Sequence, residues 1–168
     1  MPVGRVDLRH GRPHDPAQVE ELDARRDRPC GERVAAGIDA AMLDARRMEC
    51  RKPWYRAIYA DDQPVGFVML SWNVTPEPPR IIGPWFLWKL LIDERHQRRG
   101  YGREAVMLVA DIVRANGADE LLTSFVPGDG GPEPFYFGLG FGPTGELDDN
   151  GEIIVALNLR PQGQSSNR

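Results

Sequence analysis

Gln97-Arg98-Arg99-Gly100-Tyr101-Gly102-Arg103 joins three guanidinium groups and two glycines in one short segment. The segment runs straight into the periodic apolar stretch Gly100–Asn116, which the spacing predicts as a helix. The first N–H groups of a helix lack intrahelical carbonyl partners and sit at the positive end of its dipole. Gly100 and Gly102 would let that backbone approach an oxyanion without a Cβ in the way. Arg98, Arg99 and Arg103 add cations whose planar fork suits phosphate. The chemistry on offer is an anion cradle. On the loop alone, a solvated basic turn before an ordinary helix is the competing reading.

Gly100-Tyr101-Gly102-Arg103-Glu104-Ala105 also spells the dinucleotide pattern G-x-G-x-x-A, with Glu120 about twenty residues on. The context does not fit. In that fold the first glycine closes a tight turn directly off a strand, whereas Asp93 to Arg99 separate Ile92 from Gly100 here. Only 68 of the 168 residues follow Gly100, too few for a doubly wound sheet with a substrate domain.

The elements around the loop set its position. Trp85–Ile92 is almost entirely apolar, as a strand covered on both faces should be. In the helix that follows, Ala105, Leu108, Val109, Ile112 and Val113 form one stripe, and Asn116-Gly117 supplies the stop. Leu121–Val126 is the next strand, so Trp85–Val126 is a strand–helix–strand unit that favours two parallel strands. Upstream, Trp54–Ala60 and Val65–Val74 form a hairpin through Asp61-Asp62-Gln63-Pro64. Downstream come a short helix over Pro132–Leu139 and a hairpin of Phe141–Leu147 and Glu152–Leu159, turning through Asp148–Gly151. The N-terminal third offers a strand over Val3–Leu8, a helix capped by Asp15-Pro16, and a second helix from about Glu32 to Met48. Residues 1–160 read as one domain and 161–168 as a polar tail.

Bulk composition narrows the function classes. With 41% hydrophobic and 27% charged residues, the chain has the profile of a soluble globular domain. A net charge of -4 and a pI near 5.4 argue against a nucleic-acid binder. No stretch is long enough to span a bilayer and no signal peptide is evident, so a cytoplasmic location is expected. Cys30 and Cys50 make no disulfide framework, and with scattered His10, His14 and His96 they offer no metal-ligand spacing. No metal is expected.

Gln97 to Gly102 matches the loop Gln/Arg-x-x-Gly-x-Gly/Ala of the GNAT superfamily of acetyl-CoA-dependent N-acetyltransferases, which the chain resembles. Phe135-Tyr136-Phe137-Gly138-Leu139-Gly140-Phe141 is similar to that family's second motif, a Tyr in a short helix followed by Leu-Gly-Phe. Within the superfamily the resemblance is to bacterial spermine/spermidine acetyltransferases. It rests on Leu87 to Gln97, Thr123 to Gly128, Gly145-Glu146-Leu147 and Gly151-Glu152-Ile153. It covers about Trp54 to Leu159.

The resemblance implies an α/β (α+β) GNAT fold: a mixed, mostly antiparallel sheet of six to seven strands flanked by about four helices. It implies acetyl-CoA as co-substrate, held by Leu90, Leu91 and Ile92 of the central strand and by Gln97, Arg98, Arg99, Gly100, Tyr101, Gly102 and Arg103. Asp129 stands where many relatives carry an Asn that reaches the pantetheine or the adjacent helix. The Leu90 N–H would stabilise the thioester oxygen as charge builds there, aided by a bulge that splays the strand. Tyr136 would be the general acid, since a phenol stays protonated at neutral pH and can donate to a departing thiolate. The helix carrying it has poor propensity, with Pro132, Pro134 and Gly138, so packing or a ligand must hold it. No general base is evident, because Lys89 is the only charged residue in Trp85–Ile92. Glu20, Glu21, Asp23 and Glu152 could recruit a cation, though each reads first as surface charge.

The expected partner is a small-molecule amine of polyamine type, with no nucleic acid and no membrane; a homodimer is compatible with the sequence. The rivals are an antibiotic amine, a protein amine, and an acyl-CoA-binding regulatory module with little catalysis.

Overall fold

The computed structural model describes residues 4–9 and 53–160. Seven strands form one sheet: β1 (Val6–Arg9), β2 (Pro53–Ala60), β3 (Gln63–Ser71), β4 (Phe86–Ile92), β5 (Glu120–Phe125), β6 (Gly142–Leu147) and β7 (Ile153–Asn158). Their spatial order is β1-β2-β3-β4-β5-β7-β6, with only the β4–β5 pair parallel. Helix α1 (Tyr101–Ala115) makes the crossover between those two strands, and α2 (Glu133–Gly138) follows β5. Among the described residues these two α-helices and one 3-10 turn (Glu94–His96) are fewer than the four or so expected. The helices expected near residues 15 and 32–48 lie outside the described residues, as do Cys30, Cys50, Glu20, Glu21 and Asp23.

Local chemistry accounts for several boundaries. The β2–β3 turn is the two-residue pair Asp61-Asp62, both at positive φ (48° and 66°), rather than the four residues expected. Short carboxylate side chains tolerate that left-handed region, and such turns match strand twist. Gln63 and Pro64 therefore join β3, and a register shift opposite Ile58/Tyr59 absorbs the irregularity. Helix α1 buries Ala105, Val106, Val109, Ala110 and Val113. The stripe is thus rotated from the expected one, leaving Leu108 and Ile112 only half-buried. It packs with Ile58, Val68, Leu70, Leu87, Leu121 and Val155 in the main core on one face of the sheet. A smaller cluster of Phe86, Leu122 and Ile154, flanked by Trp88, covers the other face.

The central feature is a split sheet. β5 pairs with β4 only at Phe86↔Leu122 and Leu87↔Thr123, so the two strands part beyond Leu87. A bulge begins the separation, since Met69 and Leu70 of β3 oppose Lys89 and Leu87 and leave Trp88 extra. Gly66 lets β3 press close to β4, because a Cβ there would fall against the Leu91 carbonyl.

Candidate active site

Backbone alternation decides what faces the split. Asp93 donates its N–H to the Val65 carbonyl at 2.9 Å. In an antiparallel ladder every second residue bonds the same neighbour, so Leu91 also faces β3. Leu90 and Ile92 then turn their N–H and C=O groups toward the gap. Gln97 supports this directly: its Nε2 donates to the Ile92 carbonyl at 2.9 Å.

Beyond β4 the chain is set by Asp93, which accepts from the Arg95 N–H (2.9 Å) and from the Arg95 guanidinium. Those bonds hold its carboxyl below the ordinary carboxylate range. The 3-10 turn buries His96 and delivers the loop. Arg98 (φ 58°) and Gly100 (φ 87°) both occupy left-handed backbone; for Arg98 that is strain of the kind found at ligand-binding turns. Glu104 is the first residue of α1 whose N–H reaches a helical carbonyl, that of Gly100 at 3.1 Å. The N–H groups before it are the unpartnered set of a helix start.

A cavity of about 530 Å³ lies over this end of the split. It is lined by Leu90, Ile92, His96, Gln97, Arg98, Gly100, Tyr101, Gly102, Arg103, Pro132 and Phe135. Eight of the residues named from sequence thus meet at one wall. Leu91, Arg99 and Asp129 do not line it: Leu91 belongs to the β3 ladder, Arg99 is exposed, and Asp129 sits in the exposed loop before α2. Arg103 has a second task, donating to the Gly138 carbonyl at 3.1 Å and so tying α1 to the end of α2. The sequence did not assign His96, Pro132 and Phe135 to this wall, because only the turn and α2 bring them to the loop.

Tyr136 is buried in α2, stacked on Phe125 (6.1 Å) and edge-on to Phe135 (5.2 Å) and Phe141 (5.4 Å). This aromatic nest supplies what the helix lacks in propensity. Pro132 caps α2 and Gly138 ends it, positions where each is tolerated. Burial pushes the phenol pKa up, hydrogen bonding with Thr123 pulls it down, and the charge of Glu152 pushes it up again. Thr123 itself donates to the Leu87 carbonyl at 2.9 Å, at the last paired step before the split.

Tyr136 faces a second cavity of about 620 Å³, lined among others by Phe86, Trp88, Lys89, Ser124, Pro132 and Glu152. Pro132 lines both cavities, so they adjoin across the split. The bulge explains why consecutive residues Trp88 and Lys89 both reach this wall. Glu152 is half-buried here and accepts from Ser124 Oγ at 2.6 Å, so it is more than plain surface charge. The sequence signal was weak, a lone Glu after a turn; β5 and β7 pairing in space brings it to the cavity wall. Among the described residues no three His, Cys, Asp or Glu side chains are placed to hold a metal ion together, and no helix is long and apolar enough to cross a membrane.

A helix start with unpartnered N–H groups, beside the edge of β4 that β5 leaves uncovered and with a buried phenol in the adjoining cavity, offers donors for an anion and a proton for a leaving group. A family model described as the acetyltransferase (GNAT) family matches residues 18–141. No curated protein matches the sequence. Among solved structures, an acetyltransferase from Thermus thermophilus is 22% identical with a TM-score of 0.61, over 94% of this chain and 99% of that one. The PaiA N-acetyltransferase from Thermoplasma acidophilum in complex with coenzyme A is 16% identical (TM-score 0.59; 92% and 99% covered). The aminoglycoside 6'-N-acetyltransferase from Enterococcus faecium is 15% identical (TM-score 0.63; 94% and 99%). At these identities the likeness speaks to the fold. With the family model spanning most of the chain, the protein belongs to the acetyltransferase (GNAT) family, enzymes that transfer an acetyl group from acetyl-CoA to an amine nitrogen.

Proposed function

We propose that this chain transfers acetyl from acetyl-CoA directly to the primary amine of a small, polyamine-like acceptor. The observation that carries the proposal is the pair of adjoining cavities, one basic at a helix start and one holding carboxylates, meeting at the β4–β5 split beside Tyr136. The pyrophosphate falls to the N–H groups and side chains of residues 97–103, and the pantetheine to the free edge at Leu90 and Ile92. Acetyl-CoA supplies an activated acyl group. The Leu90 N–H, aimed into the gap, donates to the carbonyl oxygen as charge gathers there, which is worth most in a site preorganised to receive it. Tyr136 gives its proton to the sulfur.

The acceptor enters from the other cavity. Glu152, Asp148 and Asp149 on its rim favour a cation, and Trp88 and Phe86 offer rings to an alkylammonium stem. Lys89 favours a second reading. It is half-buried in this cavity with no ion pair among the described residues, so an acceptor bearing its own carboxylate would find a partner there. A thiol-release assay with acetyl-CoA across polyamines, aminoglycosides, amino acids and short peptides decides between them. Fastest release with a polyamine supports the first reading, and fastest release with an amino acid the second. Coenzyme A binding without release from any amine would contradict the enzymatic reading and indicate a binding module.

A further inference from the structure

Resting on that reading of the site, we propose that Glu152 receives the acceptor's ammonium group and takes the first of the two protons that amide formation removes. β4 carries no carboxylate, so a base must come from elsewhere. Three carboxylates line the acceptor cavity, and their bonding separates them. Asp148 is committed to the turn, accepting from the N–H groups of Asn150 and Glu152 at 2.9 Å each. Asp149 is exposed and meets the Asn150 amide at 3.3 Å. Asp148 is half-buried too, but its Oδ1 serves its own turn; only Glu152 is anchored to the wall of the split, where Ser124 Oγ holds Oε2 at 2.6 Å and leaves Oε1 to accept from an ammonium. Its backbone is fixed on both sides, since its carbonyl also accepts from the Asp148 N–H at 3.1 Å. Glu152 and Tyr136 line the same cavity, so base and acid border one space.

The step balances. The ammonium gives one proton to Glu152, and the freed nitrogen lone pair forms the C–N bond to the acyl carbon. The C–S bond breaks with its electron pair on sulfur, which takes the Tyr136 proton. The phenolate is restored by the second proton lost from the nitrogen. Glu152 later releases its proton to water, giving the one net proton per turnover that a protonated amine requires. The groups facing Glu152 are Ser124 of β5, Tyr136 of α2, Asp148 and Asp149 of its own turn, Lys89 of β4, and Arg80, which pairs with Glu77.

The test compares wild type with Glu152→Gln and Glu152→Asp, using n-butylamine and spermidine as acceptors. Each variant is titrated with coenzyme A, then with n-butylamine in the coenzyme-A-bound protein. Wild type should show kcat/KM nearly flat between pH 7 and 9, because carboxylate plus ammonium is the reactive pair. Glu152→Gln should be slower by about 100-fold at neutral pH and should climb roughly tenfold per pH unit, following the free-amine fraction of a group titrating near 10.4. Its coenzyme A affinity should match wild type while n-butylamine affinity drops at least about tenfold. Glu152→Asp should keep the flat profile at a lower rate, which a purely structural role would not produce. A wild-type rate and flat profile in Glu152→Gln would overturn the assignment. A wild type that neither binds coenzyme A nor releases thiol would overturn the acetyl-transfer reading beneath it.

Discussion

The acid role proposed for Tyr136 makes two demands that its surroundings reconcile. The phenol must stay protonated, and it must reach the sulfur from a short helix of poor intrinsic propensity. Burial is the main force keeping the phenol neutral, opposed by Thr123 and reinforced by Glu152. Tyr136→Phe should therefore lower kcat by about 100- to 10,000-fold while coenzyme A binding, measured by titration, is unchanged. The pH dependence has a definite sign. The folded-state pKa is raised above the ordinary value of 10.0, so the neutral phenol contributes stability below that pH and loses it as pH rises through the folded value. Thermal melts should show wild type losing ground to Tyr136→Phe only above pH 10. Tyr136 was legible in the sequence because Tyr within Phe-Tyr-Phe-Gly-Leu-Gly-Phe is local information. Glu152 was legible only as one of several surface carboxylates; its bond to Ser124 was not, since the two lie 28 residues apart and meet only once β7 pairs with β5.

At the scale of elements, the split between β4 and β5 does the positioning, and β3 holds it open. At Gly66 β3 lies against β4 with no room for a Cβ beside the Leu91 carbonyl. Gly66→Ala should cost about 1–3 kcal/mol of stability through overpacking. It should also weaken coenzyme A binding, because the strand that must move carries Leu90 and Ile92. Melts and titrations on one preparation would show both; loss of stability with unchanged affinity would separate the site from this contact. The strand–helix–strand order was readable from periodicity, since α1 and β4 are long and regular. The bulge at Trp88 was expected only through the resemblance, and its position depended on register against β3, which single-strand patterning does not encode.

Over the whole molecule, one sheet order brings together a loop at residue 97, a helix at 133 and a turn at 148–152, with a cavity on either side of the split. The fold class followed from element order. The acceptor did not, since its cavity is shaped by turns whose side chains face one another only once β7 inserts between β5 and β6. What all of this rests on is that residues 97–103 and the start of α1 hold the coenzyme. Gly102 allows that to be measured apart from folding. Its φ is not in the left-handed region, and a Cβ there would meet Phe135 and Ile92 at ordinary distances of 3.5 and 3.6 Å. The protein itself thus tolerates Gly102→Ala, and helix propensity favours the change by up to about 1 kcal/mol. Isothermal titration of coenzyme A into wild type and Gly102→Ala, with melting temperature as the control for folding, is the most direct test. The account predicts one site in wild type and at least about a tenfold loss, about 1.4 kcal/mol, in a variant that melts no lower. Equal affinity in the two proteins would contradict it.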